Sequence, residues 1–186
     1  MKNKNYFSGK SLWLYIPLWL VFVYLFFQIL DFRADDSHNI ILSGLYFVEF
    51  GVHEVSHVIT SFLPPIMTAA AGSIGEITFT VLIVVAALKA KSSYFAAIFG
   101  SLWVMLAMNS VGIYMADARA MQLPLVSFGE NTKHDWHFVF GQLGWLNSDT
   151  VIGGTVRVLG DVIGAAAVLA GLYILTRIVM EKLIKT

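Results

Sequence analysis

Residues 49–60 read EFGVHEVSHVIT. They lie in an apolar run from about residue 39 to 62, and four ionisable side chains (Glu49, His53, Glu54 and His57) interrupt it. The run belongs to a chain of 186 residues that is 58 % hydrophobic and only 13 % charged. A soluble domain is about half apolar and about a quarter charged. Several stretches approach the roughly 20 apolar residues that cross a bilayer. The composition therefore predicts an all-α fold: a polytopic membrane helix bundle of about five transmembrane helices, forming a single integral membrane domain over residues 1–186. The spans are expected near residues 11–30, 39–62, 73–88, 94–116 and 151–178. The third is short enough to be tilted or partly re-entrant. Pro64-Pro65 cannot continue a helix and breaks the chain after the second span. HDWHFVFGQLGWL, residues 134–146, reads as a short helix lying at the interface.

The same composition excludes other classes. Net charge is zero, so no basic surface argues for nucleic acid. There is no cysteine, which rules out disulfides, thiolate metal sites and cysteine nucleophiles. The basic N-terminus precedes an apolar stretch too long for a signal-peptide core, so it is expected to remain as the first span. Lys and Arg divide almost evenly between the two faces of a five-span topology and set no orientation.

His53, Glu54 and His57 form H-E-x-x-H. On a helix, residues four apart lie one above the other, so both imidazoles can reach one metal ion. The glutamate beside the first histidine is placed to act as general base on a metal-bound water. With five histidines and five glutamates in the chain, the pattern arises in about 0.4 % of shuffled sequences. Inside a membrane each such group costs free energy and is retained for a function. Imidazole plus carboxylate, without thiolate, suits Zn2+. A catalytic zinc takes three protein ligands, so a third is needed.

The candidates are Glu49, Glu76, Asp117, His134, Asp135 and His137. Glu49 shares the face of His53 and is expected to bind the metal or to orient an imidazole. Glu76 faces either the cavity or the interface. Ala71, Gly72 and Gly75 beside it permit close helix approach. Asn109 either contacts substrate backbone or ties helices together, and Arg157 and Asp161 read as a pair within one helix. In HDWH, either His134 or His137 is an alternative or fourth ligand or a hydrogen-bond donor to a tetrahedral intermediate, and Asp135 is an alternative ligand or an orienting carboxylate.

Asn109 and Asp117, eight positions apart in a later span, carry a resemblance. HExxH followed by this pair resembles the site-2 protease family of intramembrane metalloproteases, whose third ligand is the aspartate of N-x-x-P-x-x-x-L-D-G. Here Gly112, Ala116 and Ala118 stand at the proline, leucine and final glycine. The resemblance spans about residues 45–125 and implies His53, His57 and Asp117 as zinc ligands and Glu54 as the catalytic base. Helix geometry agrees, because in a five-span topology the ends of spans two and four lie at one depth. YMADARAMQLPL, HDWH and LGWLNSDTVIG also resemble a set of small bacterial membrane proteins, from which no function carries over.

The function expected from these residues is that of an intramembrane zinc metalloprotease cleaving membrane-embedded peptides. It would sit in a bacterial inner (plasma) membrane, with DARAMQLPLVSFGENTK (residues 117–133) and HDWH as lids. The alternatives are a zinc-dependent hydrolase of a lipid or other amphiphile, and a metal-binding membrane protein without catalysis.

Overall fold

The structure is a computed structural model, and it describes residues 12–33, 39–90, 94–124 and 134–184. Every regular element among these is helical: α1 (Leu12–Leu30), α2 (Ile40–Ile59), α3 (Pro65–Lys89), α4 (Tyr94–Ala116), α5 (Asp135–Leu143), a 3-10 turn (Leu146–Ser148) and α6 (Asp149–Leu183). Three of the helical stretches, Pro65–Lys89, Tyr94–Ala116 and Leu146–Glu181, are long and apolar enough to cross a membrane. The chain reads as a membrane protein on that ground.

Local sequence sets the helix ends. Asn39 caps α2, its side-chain oxygen accepting from the Ile41 and Leu42 amides. The break after α2 is tighter than expected. The prolines do end it, but Pro65 opens α3 directly, because a residue at the first helical position has no intrahelical amide partner to lose. α3 therefore begins eight residues before the expected Ser73 and runs for 25 residues. His134 caps α5 through its ring Nδ1, and Gly144 ends α5 in the left-handed conformation that glycine adopts without strain.

α4 is the buried centre of the bundle, and its Leu102, Met105, Leu106 and Val111 are almost wholly covered. α1, α2, α3 and α6 all pack on it. α3 and α6 instead leave Val81, Leu82, Val85, Val158, Leu159 and Val162 exposed, as helices facing hydrocarbon do. At Gly112 and Gly153 the α4 and α6 backbones touch, leaving no room for a Cβ on either helix. Small residues at a crossing permit such contact. Asn109 reinforces it: its amide donates to Asp161 Oδ1 at 2.9 Å, and its carbonyl accepts from Arg157 Nε at 3.2 Å. Asn109 thus ties helices together, and the expected Arg157–Asp161 pair is bridged through it.

α5 and the turn that follows it fold against one end of the bundle. α5 rests on α3 and α4 through Trp136, Val139 and Phe140, packed with Ala118, Ile66, Ala69, Tyr114 and Met115. The Trp136 indole donates to Ser73 Oγ at 3.0 Å. Asp149 is buried beneath this corner, accepting from the Arg119 amide and pairing with its guanidinium.

Candidate functional site

α2 presents His53 and His57 from successive turns of one face, with Nε2 atoms 2.9 Å apart. Asp135, the first residue of α5, brings Oδ2 to 3.2 Å from each of them. These three ligand atoms form a compact group able to hold a metal ion.

The far side of each imidazole fixes which atoms face inward. His57 Nδ1 lies 2.8 Å from the Thr68 carbonyl oxygen. A carbonyl only accepts, so Nδ1 carries the hydrogen. His53 Nδ1 likewise donates to Glu76 Oε1 at 2.5 Å. In the neutral rings both Nε2 atoms therefore offer lone pairs to the point that Asp135 Oδ2 also faces. Three acceptors converging without a donor repel one another. A proton relieves one edge of this triangle, whereas a cation at its centre satisfies all three corners.

The dimensions suit such an ion. With metal–ligand distances of about 2.0–2.1 Å, tetrahedral ligand atoms stand about 3.3–3.4 Å apart. The observed edges are 2.9, 3.2 and 3.2 Å. Orientation of a ligating imidazole by a carboxylate or carbonyl is the usual arrangement around such a centre.

The α3 backbone forms the floor. A Cβ built on Gly72 would lie 2.5 Å from His53 Nε2 and 2.7 Å from His57 Nε2. One turn further on, a Cβ on Gly75 would run into Ser56 Oγ. These glycines bring α3 against α2, as their spacing implied.

Asp135 sits outside the spanning helices. Burial works against its ionisation, but where the His53 and His57 rings are protonated at Nε2 they donate to it, and with their charge they hold its carboxyl down at about 2. Tyr114 of α4 completes its surroundings. The Tyr114 hydroxyl accepts from the Asp135 amide at 2.9 Å and donates to Asp135 Oδ2 at 3.3 Å. Its ring stacks on His134, centroids 4.3 Å apart.

The expected residues divide clearly. His53 and His57 meet as the HExxH spacing required, with Asp135 as their carboxylate neighbour. Asp117, expected as third ligand, is not in the group. It lies just beyond α4 and closes its own loop, accepting from the Gln122 amide at 2.9 Å and the Leu123 amide at 3.0 Å. Its Oδ2 also faces His134 Nε2 at 3.4 Å. Burial lowers the proton affinity of His134, with Asp117 opposing. His137 turns away from the centre, its Nδ1 donating to the Ala118 carbonyl at 2.8 Å. Glu76, undecided in the sequence, orients His53. Glu49, a candidate for that role, is fully buried one turn away and accepts from Ser110 Oγ at 3.4 Å. Glu54 is half-buried beside His53. Of the expected lids, residues 125–133 lie outside the described residues, while HDWH supplies Asp135. Sequence reasoning missed Tyr114 and Thr68. Thr68 acts through its carbonyl, which leaves no mark on residue type, and Tyr114 is one aromatic among many.

Comparison with known proteins adds no relative: no family model, no curated protein and no solved structure matches the chain.

Proposed function

We propose that this protein is a membrane-embedded zinc hydrolase whose metal is held by His53, His57 and Asp135, and whose five long helices α1, α2, α3, α4 and α6 cross the bilayer. The observation that carries the reading is the convergence of two Nε2 lone pairs and one carboxylate oxygen on a single point, with each imidazole oriented from behind. Two histidines and a carboxylate form a recurrent catalytic zinc set, with one position left for water or substrate. Bound there, zinc supplies a Lewis acid and an acidified water.

The chain's own residues do the rest. Glu76 and Thr68 hold the imidazoles in the tautomer that ligates. Glu54, next in sequence to His53, takes a proton from the attacking water and returns it to the leaving group. Peptide is the substrate class that the site-2 protease resemblance implies, with the carboxylate ligand drawn from α5 instead of the position after α4. A helical peptide hides its carbonyls, so a membrane-anchored substrate must unwind locally before attack.

The test uses protein purified in detergent and reconstituted with zinc. Bound metal is counted by mass spectrometry, and cleavage is followed on fluorescein-labelled casein and on single-span model helices. Wild type is expected to carry one zinc per chain and to cleave. Glu54→Gln should keep the zinc and lose cleavage. Equal cleavage by Glu54→Gln would sink the mechanism. Zinc binding with cleavage of neither probe would favour an amphiphile substrate or a non-catalytic metal protein.

A further inference from the structure

Asp135 differs from the other two ligands in its support. His53 and His57 belong to a 20-residue helix and are fixed from behind. Asp135 opens a nine-residue helix at the edge of the bundle. The first amides of a helix have no intrahelical acceptor. The side chain of the cap residue His134 accepts from the His137 amide, and the Asp135 amide is satisfied elsewhere. The Tyr114 hydroxyl accepts it at 2.9 Å and turns its single proton to Asp135 Oδ2, the ligating atom, at 3.3 Å. One oxygen thus fixes both the backbone and the carboxylate of the same residue.

We infer that Tyr114 is the positioning residue for the third metal ligand: its hydroxyl selects the Asp135 rotamer that faces His53 and His57 before any metal arrives. The inference rests on the metal-site reading above. An aspartate on a helix has several staggered side-chain rotamers, and one directs Oδ2 at the histidines. Tyr114 lies on α4, the most buried helix, so it refers the ligand to the rigid part of the bundle. The Trp136–Ser73 bond holds α5 in place but touches neither the Asp135 amide nor its carboxylate. Loss of a group that orients a metal ligand costs about 10–100-fold in metal affinity.

The experiment titrates metal-free protein with Co2+ and Zn2+ in competition with a chelator and records the visible absorption of the Co2+ form. Tyr114→Phe keeps the ring and its stack on His134 and removes only the hydroxyl. It is expected to bind about 10–100-fold more weakly and to give an altered Co2+ spectrum. In an Asp135→Ala background the same change should cost nothing further, because its effect passes through Asp135. Should Tyr114→Phe fail to fold, 4-fluorophenylalanine at position 114 fills the hydroxyl's place without a proton to donate, and the same loss is expected. Wild-type affinity and spectrum in the folded variant would overturn the inference. So would an equal loss in the Asp135→Ala background, which would mark a merely structural role. A wild-type protein that binds neither ion would sink the metal reading itself.

Discussion

Gly72→Ala adds one methyl group where α3 passes the two imidazoles. The new Cβ would stand 2.5 Å from His53 Nε2, 2.6 Å from His53 Cε1 and 2.7 Å from His57 Nε2, where ordinary contact begins at 3.4 Å. The His53 ring must therefore retreat by about 0.9 Å, yet metal–ligand distances hold within about 0.2 Å. Retreat also breaks the 2.5 Å bond from His53 Nδ1 to Glu76. Moving α3 instead would strain the Trp136–Ser73 bond that docks α5. Either way a ligand leaves its place, and metal affinity should fall by more than the roughly 100-fold upper cost of a lost orienting group. The fold should survive, because alanine is favoured over glycine in a helix interior by about 1 kcal/mol. The assay pairs chelator competition with thermal unfolding of the metal-free protein. Gly51→Ala is the control: nothing lies within 4 Å of its Cβ, so metal affinity should stay unchanged. Wild-type metal affinity in a folded Gly72→Ala protein would refute the placement of α3 against the histidines.

Three further outcomes are expected. Asp135→Ala should keep only weak two-histidine binding and come through purification with less than one metal per chain in mass spectrometry, while Asp117→Asn should retain the full complement; the opposite pattern would return the third ligand to Asp117. Glu76→Gln keeps a hydrogen-bond acceptor for His53 but removes the charge, and should weaken metal binding by about 10–100-fold, measured by chelator competition. Burial holds His134 below its ordinary value, so the undocked chain takes up a proton more readily than the folded one. Docking of α5 should therefore weaken as pH falls below about 6.5. Hydrogen exchange over residues 134–143, corrected for intrinsic rates, should show protection falling with acid, and His134→Gln should remove that dependence.

Much of this was legible in the sequence. The apolar runs mark the helices because a spanning segment must satisfy its backbone internally. HExxH needs only the pitch of one helix to bring its histidines together, and Gly72 and Gly75 signal a close approach that the structure places on α2. The third corner of the group was harder because it depends on the rotation of α4 and on a chain reversal. Asn109 sits eight residues before Asp117, but α4 turns Asn109 towards Arg157 and Asp161 of α6, away from α2. Beyond the helix end, Asp117 finds two amides of its own loop. Asp135 was named, yet nothing in HDWH says that α5 folds back over the histidines. The pitch of α2 and the path of the chain after α4 are different kinds of information, and only the first is local.

The separation between His53 and Asp135 is 82 residues. During synthesis at about 5–20 residues per second, roughly 4–16 s pass between the appearance of the two. On the proposed metal-site reading, α2, α3 and α4 are made over that interval with the ligand set still incomplete. A chain that stalls after α4 therefore holds the two imidazoles without Asp135. On that reading metal loading would be a late event in biogenesis, one that reports that the polypeptide has reached α5.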